Sequence, residues 1–490
     1  MMKKHFKNID WKDNRNLTML TDFYEFTMMN GFFNSEFRNT IGYFDMFFRK
    51  VPENGGVAIM AGVEQLIKYV QSIHFDEEDI DYLRKKTNFN EEFLTYLKEL
   101  KFTGDIWAIP EGTPIFPGVP LVTVRAPIME AQLLETMILL TVNHQSLIAT
   151  KANRIVRAAE GRPVFEFGSR RAQGYDGAIY GARAAYIGGC AGTACTLAEE
   201  MFKLPAMGTM AHSWIMFFET EYDAFKTWAE NYPDDCFLLV DTYNVLKSGI
   251  PNAIRVFDEV LKPMGKRPKG IRIDSGDITY LTKECRKMLD KAGYEDCKIT
   301  VSNSLDEYII KDVISQGAVI DSFGVGERLI TSKAEAVFGG VYKLVAIEKD
   351  GEIIPKIKLS ENEAKTTNPG FKIPWRLFDK ETGNAIADIL TLNNENIEDD
   401  KEYVIFDEVY TYKKKKINNF VAKKLQEPIF KSGECVYECP SLEEIKDYCK
   451  DQINTLWPEL LRFENPHKYY VDLSKDLWNL KFQLIERNSN

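Results

Sequence analysis

The chain has 490 residues, 44% hydrophobic and 12% aromatic, enough for two or three folded domains with cores of their own. A net charge of −11 disfavours nucleic acid or an anionic membrane as a general partner, so an anionic ligand would need positive charge focused in a pocket. Eight cysteines over this length exclude a disulfide framework, and Cys435, Cys439 and Cys449 lack the spacing and the histidine of a metal knuckle.

Residues 1–6 hold no apolar core of signal-peptide length, and no window reaches the roughly 18 apolar residues of a membrane span; a cytoplasmic protein is expected. An N-terminal α/β domain is predicted over 1–150. It has a strand at 41–48, a Pro/Gly-punctuated β stretch at 106–124, and a helix over 129–152 with Leu133, Met137, Leu140 and Leu147 on or near one face.

From about residue 160 the pattern changes. Apolar strands ending near 167, 240, 273, 301 and 323 are followed by polar or glycine residues and then amphipathic helices. Their recurrence every ~20–35 residues, after one longer gap, is that of parallel strand–helix units and predicts a barrel domain over 151–348. The last region, 349–490, is less regular and reads as a packed accessory domain, with a strand at 341–348 before it and a solvated lysine turn at 413–416.

In a barrel, functional groups gather at the carboxyl ends of the strands. Here those positions carry Arg170 and Arg171, Asp241, Arg272 to Asp277, and Gly324-Val325-Gly326. Arg272, one residue inside a strand end, would be costly to bury unless it met an anion. The two glycines offer backbone N–H groups to a phosphate. Asp274 and Asp277 suit sugar hydroxyls or a phosphate-bound magnesium, although Asp277 fits a helix cap equally well. His212 lies in the first gap among small residues, preceded by Gly208 and Ala211 and followed by Ser213. Alone it reads as a buried structural imidazole; its small neighbours put a functional reading on an equal footing, and the anion pocket is the setting for one. Together these residues describe a pocket for a phosphorylated, carboxylated small molecule with a sugar part.

Several separated stretches, in order, resemble the nicotinate phosphoribosyltransferase family. They are Leu20-Thr21-Asp22-Phe23-Tyr24-Glu25-Phe26-Thr27-Met28, Phe165-Glu166-Phe167-Gly168-Ser169-Arg170-Arg171, the segments 208–214, 240–243, 272–277 and 302–307, Phe323-Gly324-Val325-Gly326, and 339–344. The resemblance implies a type II phosphoribosyltransferase with an irregular TIM-like α/β barrel, an N-terminal α/β domain and a C-terminal accessory domain. It also implies a cytoplasmic homodimer with shared active sites. The reaction implied, a step of NAD biosynthesis or salvage, joins nicotinate to 5-phosphoribosyl 1-diphosphate with hydrolysis of ATP, using Mg2+. By resemblance, Phe167 and the partner subunit's Tyr24 stack on the pyridine ring, while Arg272 and Thr209 hold its carboxylate. Arg170 faces the diphosphate, Asp241 and the catalytic Asp274 the ribose side, and Gly324 and Gly326 the 5-phosphate. His212 is implied as the residue phosphorylated by ATP.

The alternatives are the nicotinamide-using relative and a non-catalytic phosphate-binding barrel. The former reads Gly-Thr-Asp-Thr where this chain reads Gly192-Thr193-Ala194-Cys195; Ala194 cannot accept a hydrogen bond from an amide NH2, which favours the acid. A sugar-phosphate lyase would need a strand-borne Schiff-base lysine, which no barrel strand end supplies. One departure stands out: Glu327 replaces the threonine usual in the family after the Gly-Val-Gly turn, and it is given no phosphate role.

Overall fold

The computed structural model describes residues 15–360, 365–407 and 409–489; the segment 1–6 read for a leader lies outside them. The chain forms two compact units, one of residues 1–146 with 337–490, the other of residues 147–336. The sequence instead suggested divisions at 150 and 348.

In the first unit a seven-stranded antiparallel sheet takes the order 352–355, 340–349, 41–48, 122–127, 105–108, 427–431, 434–435. Strand 340–349, which the domain boundary drawn at 348 left with the barrel region, pairs instead with strand 41–48, with Phe44 stacked on Tyr342 at 4.8 Å. Its alternation identifies a strand; the partner is set by packing almost 300 residues away in the chain, which period alone does not encode. A second sheet of 372–379, 385–392, 420–424 and 471–473 buries Trp375, Leu377, Ile389 and Phe420. The lysines of 413–416 are exposed as expected, but Lys414–Ile417 is a strand paired with Tyr403–Phe406.

The second unit holds six parallel strands, β1 (Val164–Glu166), β2 (Gly192–Thr193), β3 (Phe237–Leu239), β4 (Gly270–Ile273), β5 (Lys298–Ser302) and β6 (Ser322–Val325). Their order is β2-β1-β6-β5-β4-β3, every pair parallel. Among the described residues no hydrogen bonds join the edge strands β2 and β3, so the sheet is open there rather than a closed ring. Ile271, Ile273, Ile299, Val301 and Phe323 are fully buried, as apolar parallel strands covered by helices require.

Helix starts fix where the strand-end loops stop. Asp277 caps helix Ile278–Lys291 by accepting from the Tyr280 N–H at 2.7 Å, so its capping reading holds and Asp274 is left to the loop. Asp306 caps helix Glu307–Ser315. Behind it the fully buried Glu307 meets Lys151 at 2.9 Å and Arg154 at 2.7 Å, which anchors the β5 loop to the part of the long helix Glu135–Ala158 that belongs to this unit. The helix expected over 129–152 is two helices, Ile128–Leu133 and Glu135–Ala158, broken at Leu134.

Candidate active site

At the carboxyl ends of β1, β4, β5 and β6 lies a cavity of about 230 Å³. Seven residues singled out from the sequence line it: Phe167, Arg170, Arg171, Arg272, Asp274, Gly324 and Gly326. Phe167 follows β1 and lies against β6 because Gly324 has no side chain; a Cβ there would come within 2.5 Å of the ring. The ring is 5.7 Å from the Arg272 guanidinium.

Arg272 is the best-held cation of the site. Its Nε donates to Ser302 Oγ at 2.9 Å, Nη1 to Thr209 Oγ1 at 3.1 Å and Nη2 to Asp274 Oδ1 at 2.9 Å. Three of its five N–H groups are so used, leaving two for a ligand carboxylate. Ser302 completes the link by donating to Asp274. Asp241, 8% exposed, accepts from the Asp274 backbone N–H at 3.1 Å and from Ser275 Oγ at 2.5 Å; its Oδ1 is buried without a partner.

His212 starts helix His212–Phe217. Its Nδ1 lies 3.1 Å from Thr242 Oγ1 and its Nε2 3.7 Å from Asp274 Oδ2, with 41% of the side chain exposed. The imidazole is therefore accessible and oriented, not buried on a carbonyl. Thr209, Asp241 and His212 are thus joined to the cavity through Arg272 and Asp274. Tyr24 belongs to the other unit, where it is 45% exposed on helix Phe23–Phe33.

The rest of the cavity wall is more charged than the sequence suggested. Arg328, Lys333 and Glu327 line it with Asn303 and Ser304. Arg328 pairs with Asp306, and Glu327 turns to Lys333 at 2.7 Å. Both Arg170 and Arg171 line the cavity, and among the described residues neither forms an ion pair. Asn303 and Ser304 hold positive φ of 86° and 50°, a strained turn at the β5 end.

Sequence reasoning named no role for Ser302, Ser275, Thr242, Arg328 or Lys333, nor for Glu166. The Glu166 carboxylate is fully buried, accepts from Thr193 Oγ1 at 2.6 Å and from the Gly168 N–H, and so ties the Phe167–Arg171 turn to β2. Burial raises its pKa above the usual carboxylate range. For Glu166, Ser302, Ser275 and Thr242 the signal available was position alone, at or just after a strand end, whereas Arg328 and Lys333 lie in and after the short helix Glu327–Ile330 and gave none.

Comparison with known proteins decides the family. Models of the nicotinate phosphoribosyltransferase N-terminal domain, family and C-terminal domain match residues 19–143, 163–394 and 371–481. The chain belongs to the nicotinate phosphoribosyltransferase family. It is 42% identical to a nicotinate phosphoribosyltransferase of Bacillus subtilis over 96% of this chain and 95% of that protein. A nicotinate phosphoribosyltransferase of Dictyostelium discoideum is 34% identical over 94% and 87%. The crystal structure of human nicotinic acid phosphoribosyltransferase superposes with a TM-score of 0.83 at 27% identity, covering 95% and 100% of the two chains. Membership makes the chain an enzyme of a transferase family and fits the strand-end cavity. No described helix is long and apolar enough to cross a membrane.

Proposed function

We propose that this enzyme joins nicotinate to 5-phosphoribosyl 1-diphosphate, giving nicotinate mononucleotide and diphosphate, in a cytoplasmic step of NAD synthesis that hydrolyses ATP. One observation carries the reading: Arg272 is held by Ser302, Thr209 and Asp274 against the Phe167 ring with two N–H donors to spare. That is a seat for a flat ring bearing a carboxylate. Stacking on Phe167 contributes ~0.5–1.5 kcal/mol beyond burial, with Tyr24 of the partner subunit closing the other face in a homodimer. The six-stranded sheet is read as an incomplete barrel with its open mouth at this seat.

The pyridine nitrogen attacks the anomeric carbon as diphosphate departs, so the protein's work is positioning and electrostatics. Arg170, unpaired, faces the diphosphate; Gly324 and Gly326 present backbone N–H groups to the 5-phosphate; Asp241 and Asp274 face the ribose. Magnesium fits here only as an ion carried largely by substrate: the described residues hold no cluster of three or more ligating side chains, and the unpartnered Asp241 Oδ1 with Asp274 are the carboxylates at hand. When bound it would neutralise charge on the leaving diphosphate.

The His212 imidazole takes a phosphoryl group from ATP, releasing ADP, and returns it to water as phosphate. Thr242 and Asp274 hold the ring for that exchange. This phosphohistidine cycle is what would earn the enzyme a ligase classification.

The test is one assay on wild type and His212→Ala with 5-phosphoribosyl 1-diphosphate, Mg2+ and ATP, offering nicotinate and nicotinamide in parallel. Wild type should make nicotinate mononucleotide and ADP and leave nicotinamide unused. The variant should lose ATP hydrolysis but keep a slow transfer. Equal use of the amide would overturn the substrate; normal ATP hydrolysis by the variant would overturn the role of His212.

A further inference from the structure

Glu327 is the pocket residue that the proposed reaction does not use. It follows Gly326 at the start of the short helix Glu327–Ile330, and its side chain lines the cavity with Arg171, Arg328 and Lys333. Its Oε1 lies 2.7 Å from Lys333 Nζ. That hydrogen-bonded contact first, and then the charges of Arg171 and Arg328, hold its pKa below the usual carboxylate range. Glu327 thus pairs with Lys333 and lies within the field of Arg171 and Arg328 at the glycine end of the cavity, the end read above as the seat of the 5-phosphate.

Lys333 has no other ion pair among the described residues, whereas Arg328 is also tied to Asp306. An incoming phosphate therefore finds Lys333 already occupied. It can take that lysine only if the Glu327 carboxylate turns away, and both side chains are exposed enough to do so, at 43% and 57%. Without that turn, two anions would share one cation at close range, which is repulsive.

We propose that Glu327 is an internal counter-anion, and that phosphate-bearing ligands bind this pocket by exchanging with it at Lys333. The inference rests on the proposed placement of the 5-phosphate beside Gly326. The exchange weakens every ligand that puts a phosphate there by a similar factor. It is uniform weakening, which raises KM for 5-phosphoribosyl 1-diphosphate without slowing the chemical step. Its useful consequence is that inorganic phosphate and the mononucleotide product, which lack the second anionic group held at Arg170, are held loosely and leave.

The experiment titrates inorganic phosphate into the full-length enzyme by calorimetry, comparing wild type, Glu327→Gln and Glu327→Thr. Both variants should bind phosphate about three- to tenfold more tightly, and KM for 5-phosphoribosyl 1-diphosphate should fall by the same factor. Glu295→Gln, which removes an exposed charge elsewhere in the unit, should change neither by more than about 1.5-fold. In a Lys333→Met background, Glu327→Gln should tighten binding clearly less, because the cation for which the two anions compete by direct contact is gone and only through-space repulsion remains. Unchanged or weaker phosphate binding in the Glu327 variants, or equal tightening without Lys333, would overturn the exchange. Turnover is read separately: an enzyme that makes no nicotinate mononucleotide refutes the proposed reaction, while one that turns over but shows no tightening refutes only the role of Glu327.

Discussion

Arg376 and Arg272 are both arginines paired with an aspartate, one in each unit, and the difference between them is exposure. Arg376 meets Asp388 through two contacts of 2.7 and 2.8 Å, with the side chains 1% and 0% exposed. It also donates to the Pro114 carbonyl at 2.9 Å, Tyr469 OH donates to the same aspartate at 3.1 Å, and Phe116 stacks on Tyr469 at 3.7 Å. That network is sealed from solvent, with Arg376 Nη1 buried without a partner. Arg272 and Asp274 are 17% and 30% exposed, and both line a cavity. A closed pair holds the antiparallel unit together; an open one keeps a charge oriented until a ligand arrives.

The sharpest way to break the contrast is to remove the closed pair's cation. Arg376→Met leaves Asp388 buried without a counter-charge and should lower the free energy of unfolding by about 3–5 kcal/mol. Urea unfolding followed by tryptophan fluorescence measures it, and activity per folded molecule should stay near wild type. A loss under about 1 kcal/mol would show that the pair is not structural.

Arg272→Met should do the reverse. Its unfolding midpoint should barely move, while kcat/KM for nicotinate falls about a hundred- to a thousandfold, the effect of truncating one partner of a desolvated, hydrogen-bonded charge pair. Steady-state kinetics decide it: a fall smaller than about tenfold would remove Arg272 as the carboxylate anchor.

How much of this was legible depended on range. The parallel unit announces itself locally: apolar runs such as Ile299 to Val301 end in polar residues, and the charges at 170, 272 and 274 follow at strand ends whatever the fold's details. Less visible is β2, whose two residues are too few for any period to register. The pairing of strand 340–349 with 41–48 escaped because hydrophobic alternation names a strand and not its partner. Ser302 and Thr242 went unassigned because a hydroxyl acquires a role only from what lies about 3 Å away, here Arg272 and His212. Asp277 shows the opposite limit. Sequence could not separate cap from ligand, and one hydrogen bond to the Tyr280 N–H did.

Glu25 is the exception within the antiparallel unit, and it gives the smallest and most pH-sensitive effect. Its side chain is fully buried on helix Phe23–Phe33, yet the charges around it, Glu135 and Asp22, are acidic. Burial first, and those charges after it, push its carboxyl up to about 7. The folded protein therefore holds this proton more tightly than the unfolded chain does. The stability it contributes is fully present below the ordinary glutamate pKa and is lost as pH rises through about 7. Glutamine, neutral throughout, should remove that slope. Glu25→Gln should match wild type in urea unfolding near pH 4.5 and exceed it at pH 8 by on the order of 1–2 kcal/mol. An equal offset at both pH values would mean that packing rather than charge separates the two proteins. Because Glu25 adjoins Tyr24, the residue proposed to reach the partner's pyridine ring, the same comparison asks whether the charge left unpaired in the antiparallel unit lies where that unit serves the site rather than the fold.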